Sequence, residues 1–430
     1  MGDGLMEWSN LPISIFCKTG SGGTPSRSKD SRYYSGNIPW VKSGELNNSV
    51  IETTEEHITD LALAESSVKM IPAGTILVAM YGATIGKAAI LGVDGTTNQA
   101  ICHIIPDPSL VITRYLWYTL QFKLPELLSR KAGGAQPNIS QQIIRSTVIP
   151  LPPLSEQRRI VEILDRADAL RRKRARADAV AERVLPALFI KMFGDPATNP
   201  MGWERTMLNS VILETQYGTS VRANDEGNGI PVLRMNNIDT SGWMNLHNLK
   251  YVVLDDDEIA RYKLQPGDLL FNRTNSKELV GKTGIWQNDM DAVAASYLIR
   301  LRVDRQKVLP EFIWAYMNTP FVKQMLYEKA RQAIGMANIN VTELGSLPLI
   351  LPDIETQKTF TGVLSNWTEH LKKFILVRNR IDQIFQVLLH RAFSGKLTAR
   401  WREQHMSELL VEMEQQAQVL RNGNQQEHTL

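Results

Sequence analysis

The sequence predicts an α+β fold in which two similar mixed domains are joined by a pair of long helices. Three observations predict it. The chain has 430 residues, too many for one ordinary core. Its two halves repeat. Asn138-Ile139-Ser140 returns as Asn338-Ile339-Asn340, and the match then continues without a gap. Leu151-Pro152, Gln157-Arg158, Leu164, Leu188 and Phe193 face Leu351-Pro352, Gln357-Lys358, Leu364, Leu388 and Phe393, each 200 residues later. Finally, each repeat changes texture along its length, from short β-rich runs to helical periodicity.

The β-rich part of each repeat varies more. Thr75–Met80 and Asp268–Arg273 are apolar runs bounded by Gly, Asn and Pro, and each leads to a Gly-Lys pair, Gly86-Lys87 and Gly281-Lys282. A helix is expected over Thr113–Leu120, where Tyr115-Leu116-Trp117 resembles Phe312-Ile313-Trp314. Prolines 150, 152 and 153, and 348 and 352, then punctuate the chain before the helical parts. Ser155 is placed as an N-cap, with Glu156 set to complement the helix dipole. Ile160, Ile163, Leu164, Ala167 and Leu170 follow at helical spacing. In the second copy Phe360, Val363, Leu364, Trp367, Leu371, Phe374, Ile381, Ile384, Phe385 and Leu388 do the same. Such a stripe suits a helix paired with its own counterpart. Pro186 should bend or end the first helix. A helix over 155–193 would span ~58 Å, enough to hold two domains one B-DNA turn apart (~34–36 Å). The same pattern would also serve a helix that only dimerises or fills a core.

Composition excludes several classes. Two cysteines, Cys17 and Cys102, make neither a disulfide framework nor a zinc motif, and fit a reducing cytoplasm. The N-terminus lacks the regions of a signal peptide, and no apolar run reaches membrane-spanning length, so a cytoplasmic, membrane-free protein is expected. A formal charge of +3 permits nucleic-acid binding without arguing for it. No catalytic motif is complete. Gly82–Lys87 is one residue short of a P-loop, and Gly281-Lys282-Thr283 has Ser276 where the first glycine is needed. The seven histidines are scattered, so no metal site is expected, and neither HExxH nor GxSxG occurs. No glycine-rich cofactor fingerprint is present.

Charge gathers in Arg171-Arg172-Lys173-Arg174 with Arg176, preceded by Arg158, Arg159 and Arg166. This run reads equally as a solvated helix face or as a phosphate or acidic-helix contact. Base reading needs Arg or Lys for guanine and Asn or Gln for adenine. In the first domain Lys42, Ser43, Tyr81, Thr84, Lys87, Asn98 and Gln99 flank strand-like runs. The second offers Tyr217, Ser220, Arg222, Arg234, Asn236, Asn237, Arg273, Asn275, Ser276 and Lys282. Arg273-Thr274-Asn275-Ser276 is the densest group, and Ala79-Met80-Tyr81-Gly82 is expected opposite it in the first copy.

Pro152-Pro153-Leu154-Ser155-Glu156-Gln157, Met192-Phe193-Gly194-Asp195-Pro196 and Ala392-Phe393-Ser394-Gly395-Lys396-Leu397-Thr398 closely resemble conserved regions of Type I restriction–modification specificity subunits. Gly20–Pro25 and Thr97–Ala100 resemble pieces of that family's target-recognition domains, and Trp8, Trp203 and Trp401 fall at its repeat junctions. The resemblance implies target-recognition domains at 1–150 and 197–350, and conserved spacer helices at 151–196 and 351–402. An extra helix and disordered tail would follow at 403–430. The helices would pair antiparallel in a coiled-coil-like, pseudo-twofold repeat. Each domain would read one half of a split double-stranded DNA target. Two modification (methyltransferase) subunits would dock on the helices and methylate an adenine in each half-site, and restriction (motor–nuclease) subunits would join through them. S-adenosylmethionine, ATP and Mg would belong to those partners, with no catalytic residue in this chain. The competing readings are a coiled-coil adaptor with no DNA role and a stand-alone restriction or methyltransferase enzyme.

Overall fold

The computed structural model describes residues 8–47, 50–129, 138–181, 183–331 and 337–427. The fold is mixed α/β and divides into two compact units, residues 1–172 with 379–430 and residues 173–378. Both division points fall inside long helices, α1 (Leu154–Ala181) and α3 (Ile354–Phe393), and α2 (Val184–Phe193) follows α1.

The first unit is built on strands β1 (Cys17–Ser21), β2 (Tyr34–Val41), β3 (Ile76–Ala79), β4 (Ala88–Leu91), β5 (Thr96–Thr97) and β6 (Ile101–Pro106). Five strands stand in the order β1, β6, β3, β4 and Val50–Ile51, while β2 lies between His57–Ile58 and β5 in a smaller sheet. β3 is apolar at every position because both of its faces are covered. Ile76 faces Ile104 on one side and Ile90 on the other.

The second unit repeats the plan with β7 (Ile212–Tyr217), β8 (Ile230–Leu233), β9 (Leu269–Asn272), β10 (Thr283–Ile285), β11 (Val293–Ala294) and β12 (Leu298–Val303). Its sheet order is β7, β12, β9, β10, with β8 between Lys250–Val252 and β11. Leu269 faces Leu301 and Ile285 as Ile76 faces Ile104 and Ile90. The Gly-Lys pairs are the returns of equivalent hairpins. Gly86 donates to Ala79 and Gly281 to Asn272, at φ of 79° and 82°. A Cβ there would meet Leu124 at 2.4 Å or Leu326 at 2.5 Å, so glycine is needed for the turn itself and no phosphate need be invoked.

Each unit is tied to its helix in one way. Gln157 accepts from the Ile112 N–H and donates to the carbonyls of Leu110 and Pro152, at 2.8–2.9 Å. Gln357 accepts from Leu309 N–H and donates to Lys307 and Pro352, at 2.8–3.3 Å. The Tyr115 hydroxyl donates to Pro150 and that of Tyr316 to Pro348. Strand Ser9–Pro12 pairs with Val148–Leu151 just as Glu204–Met207 pairs with Pro348–Leu351.

In the first unit Ile160 and Leu164 of α1 share a core with Phe385, Leu389 and Ala392 of α3 and with Tyr115 and Trp117. Arg171 pairs with Asp382 at 2.9 Å and lies over the Phe385 ring. In the second unit Phe189 and Phe193 pack against Phe360 and Phe312, while Arg174 covers Phe374. Later residues of the first helical segment there meet earlier residues of α3, so the two run antiparallel within that unit. Only part of the expected apolar stripe is buried: Leu170, Val363 and Ile384 remain exposed. The break near Pro186 is present. α1 ends at Ala181 and Pro186 sits in the first turn of α2, where its missing N–H costs nothing, while α3 runs unbroken through Gln386.

Ser155 is not the N-cap that the sequence suggests. The helix begins at Leu154, and the Ser155 N–H is taken by the Glu412 carboxylate at 3.0 Å. Glu412 belongs to α5 (Met406–Glu427), which follows α4 (Ala399–Gln404). Glu156 does more than complement a dipole. Fully buried, it accepts from the Trp8 indole (2.9 Å), the Thr398 hydroxyl (2.6 Å) and Arg402 Nε (2.9 Å). Gln416 of α5 reaches the same Leu110 and Pro152 carbonyls as Gln157. The expected disordered tail falls partly on residues 428–430, outside the described residues. Both cysteines are free and buried, and burial pushes each thiol up to about 12.

Candidate nucleic-acid interface

One end of the sheets in each unit collects the strand termini. In the second unit the ends of β7, β8 and β9 meet the turn between β11 and β12. Thr219 donates to Ala294, Ala295 to Leu233, and Arg273 to Tyr297, at 2.8–3.0 Å. In the first unit the same edge forms from the ends of β1, β2 and β3 and the turn between β5 and β6. There Gly23 donates to Thr97, Asn98 to Val41, and Met80 to Ala100, at 2.8–3.0 Å. Strand ends place side chains beyond the last ladder hydrogen bond, where they are free to meet a ligand.

These equivalences correct the alignment read from sequence. Ile139 donates to Met80 as Ile339 donates to Arg273, so Met80, not Ala79, stands opposite Arg273. Tyr81 then matches Thr274, each bridged to the repeat asparagine, Asn138 or Asn338.

The edge of the first unit gathers Lys42 and Ser43 after β2, Tyr81 after β3, and Asn98 and Gln99 before β6. Thr84 and Lys87 lie in the β3–β4 hairpin, with Lys87 exposed. Lys42 is already neutralised: its ammonium contacts Glu55 and Glu56 at 2.9 Å, and those bonds hold its pKa above the usual lysine value. Gln99 is engaged with the Thr24 hydroxyl.

The edge of the second unit gathers Tyr217, Ser220, Arg234, Asn236, Arg273, Asn275 and Ser276, with Arg222 exposed in the loop after β7. Two of the sequence candidates turn inward. Asn237 is buried, capping Arg234 N–H at 2.9 Å and donating to Asn245. Lys282 is buried with its ammonium on the Met235 and Ile238 carbonyls, at 2.7 and 2.5 Å. Both therefore shape the edge rather than face outward from it. Tyr297, 47% exposed beside Arg273, is a site residue that sequence reasoning missed. Its signal was the polar pair Ser296-Tyr297 closing the apolar run Ala292–Ala295.

The arginine run on α1 is partly paired: five arginines share three carboxylates on the helix, while Arg158, Lys173 and Arg176 have no ion pair among the described residues. Arg171 and Arg172 pair with Asp168, Arg174 with Asp178, and Arg159 and Arg166 with Glu162. A phosphate contact through these groups would first have to break those pairs. Among the described residues no group of acids, histidines or cysteines is arranged to hold a metal, and no helix is long and apolar enough to cross a membrane.

Beneath the hairpin that carries Lys282, half-buried Lys323 donates to Gly281 at 3.2 Å. Burial, with help from the Lys282 charge, pushes its pKa down to about 8. The unfolded chain holds that proton up to the ordinary value of 10.5, so this group weakens the fold below pH 8 and stops doing so as pH rises to 10.5. Lys323→Met is therefore expected to stabilise the chain by about 1–2 kcal/mol at pH 7, with the gain fading from pH 8 upward and lost by pH 10.5. Urea denaturation at the two pH values measures it.

Comparison with known proteins agrees with this architecture. Residues 6–177 match the family model described as Type I restriction modification DNA specificity domain. The specificity subunit of the Type I restriction enzyme EcoKI from Escherichia coli K12 is 23% identical over 425 residues, covering 93% of this chain and 91% of that one. The MjaIX specificity subunit of Methanocaldococcus jannaschii is 30% identical over 255 residues, covering 54% of this chain and 58% of that one. Among solved structures, the S subunit of a Type I restriction–modification system from M. genitalium covers 91% of this chain and 97% of its own, with a TM-score of 0.50 and 13% identity. A chain solved in work on the assembly and conformational transition of the type I R-M system gives a TM-score of 0.53 at 19% identity, covering 91% of this chain and 98% of that one. With its duplicated sheet edges and a matching domain at its start, the chain is similar over most of its length to the specificity subunits of Type I restriction–modification enzymes.

Proposed function

We propose that this chain reads DNA for a Type I restriction–modification enzyme, each unit's strand-end edge recognising one half of a bipartite target. One observation carries the reading: equivalent edges hold unlike polar sets, Lys42, Tyr81, Asn98 and Gln99 against Arg234, Arg273, Asn275 and Tyr297. A common scaffold with different donors is what an asymmetric split target requires.

The recognition domains are residues 1–150 and 197–350. The spacer helices, 151–196 and 351–402, pair antiparallel about a pseudo-twofold axis and set the gap between half-sites. Exposed apolar side chains on them, such as Leu170, Val363, Ile384 and Val387, offer docking area to two modification subunits, through which restriction subunits join. The chain itself catalyses nothing and binds no cofactor; S-adenosylmethionine, ATP and Mg serve its partners, in the cytoplasm.

Two measurements test the reading. Binding to duplex DNA should weaken ten-fold or more when salt rises from 50 to 200 mM, on the order expected for several phosphate contacts. Salt-independent binding, or none at all, sinks it. Exchange of residues 1–150 for those of a relative should change one half of the methylated target. A change in both halves refutes two independent readers.

A further inference from the structure

We infer that Arg273 reads a guanine in the half-site of the second unit, by end-on donation from its two terminal amino groups, and that Met80 denies the first unit this contact. The inference rests on the DNA-reading proposal and adds the base and the residue.

Arg273 stands on this edge without an acid beside it. Arg114, Arg171, Arg300, Arg302 and Arg402 each pair with a carboxylate, whereas no ion pair involves Arg273 among the described residues. It is nonetheless held in place. Its guanidinium carbon lies 4.7 Å from the ring centroid of Tyr217, itself 41% exposed, so the planar group rests on an aromatic shelf. Its backbone N–H is bound to Tyr297 and its carbonyl to Ile339, which fixes the root of the side chain at the end of the central strand. Nε is closed off from solvent and lacks a partner, so the free donors of this half-exposed residue are the N–H bonds of its two terminal amino groups, one from each directed end-on.

A rigid, uncompensated guanidinium presenting only its outer edge matches the paired acceptors O6 and N7 that guanine shows in the major groove. Asn275 and Ser276 follow it on the same edge. In the first unit Met80 occupies the equivalent position, 8% exposed and without a donor, so the same scaffold position cannot select guanine there. The runner-up use of Arg273 is a phosphate contact, which positions DNA without reading it.

The experiment uses the full chain assembled with its modification subunits and a duplex library randomised in both half-sites. Methylation by the unaltered complex should demand G·C at a position in the half read by the second unit. Arg273→Gln should relax that one position by ~5- to 150-fold in relative methylation, leaving the other half unchanged. Arg273→Lys, which keeps the charge and loses the planar fork, should relax it as well. Thermal unfolding of both variants identifies any that fail to fold, and the lysine form keeps the test decisive if the glutamine form does. If both folded variants weaken all sequences alike and reduce the salt slope by about one, Arg273 contacts phosphate and the inference is wrong. An unchanged base preference in the lysine form also overturns it. If the unaltered complex shows no bipartite target at all, the DNA-reading proposal falls instead.

Discussion

Glu156→Ala is expected to remove ~3–5 kcal/mol from the stability of the first unit, because it strands the buried Arg402 guanidinium without a counter-charge. Glu156 is wholly enclosed, and three donors from two parts of the chain converge on it: Trp8 from one, Thr398 and Arg402 from the other. Arg402 keeps only the Gly395 carbonyl and the Trp8 ring when the carboxylate is gone. Urea denaturation of the intact chain measures the loss. A double replacement, Glu156→Gln with Arg402→Met, removes both charges and should recover more than half of it. If the single variant lost under 1 kcal/mol, the cluster would not be the clasp that joins both ends of the chain to α1. The repeat supplies a control. Position 356 carries a half-buried threonine whose hydroxyl bonds to Asp353, and Thr356→Ala, which keeps the backbone bond to Asp353, should cost under about 1 kcal/mol.

Phe360→Ala is expected to cost the second unit about 3–5 kcal/mol. The ring is fully buried, with centroids 5.2 Å from Phe193 and 6.1 Å from Phe189. The surrounding aromatics sit on two separate helical segments, Val184–Phe193 and Pro310–Met317, which cannot both close on the hole at once. Denaturation followed by tryptophan fluorescence should show the loss, since Trp314 lies in the same core. A variant destabilised by less than 1 kcal/mol would mean that α3 is not anchored there.

The long-range plan was legible because a duplication writes it twice. Gln157 and Gln357 stood 200 residues apart in sequence, and each does make the same three-bond lock in its unit. The apolar runs at Thr75 and Asp268 became the central strands, and Pro186 did interrupt its helix, since a missing N–H acts locally. Side-chain orientation was less legible. Lys282 and Asn237 read as polar loop residues because nothing in sequence tells a lysine facing water from one facing two carbonyls. Ser155 had the chemistry of a cap, yet its place was decided by Glu412, 257 residues away. The one-residue slip that set Ala79 against Arg273 arose where the two copies differ most, and only the hydrogen bonds could correct it. Tyr297 was missed because it gains its meaning from Arg273, which is remote in sequence.

The glutamine locks carry a consequence for how such a protein changes over generations. Every group that Gln157 and Gln357 grip on the sheet domains is a main-chain amide or carbonyl, and none is a side chain. A backbone atom survives almost any substitution at its own residue. The joint is therefore indifferent to what the domain above it spells, and new target preferences can be drafted, shuffled or borrowed there without renegotiating the frame.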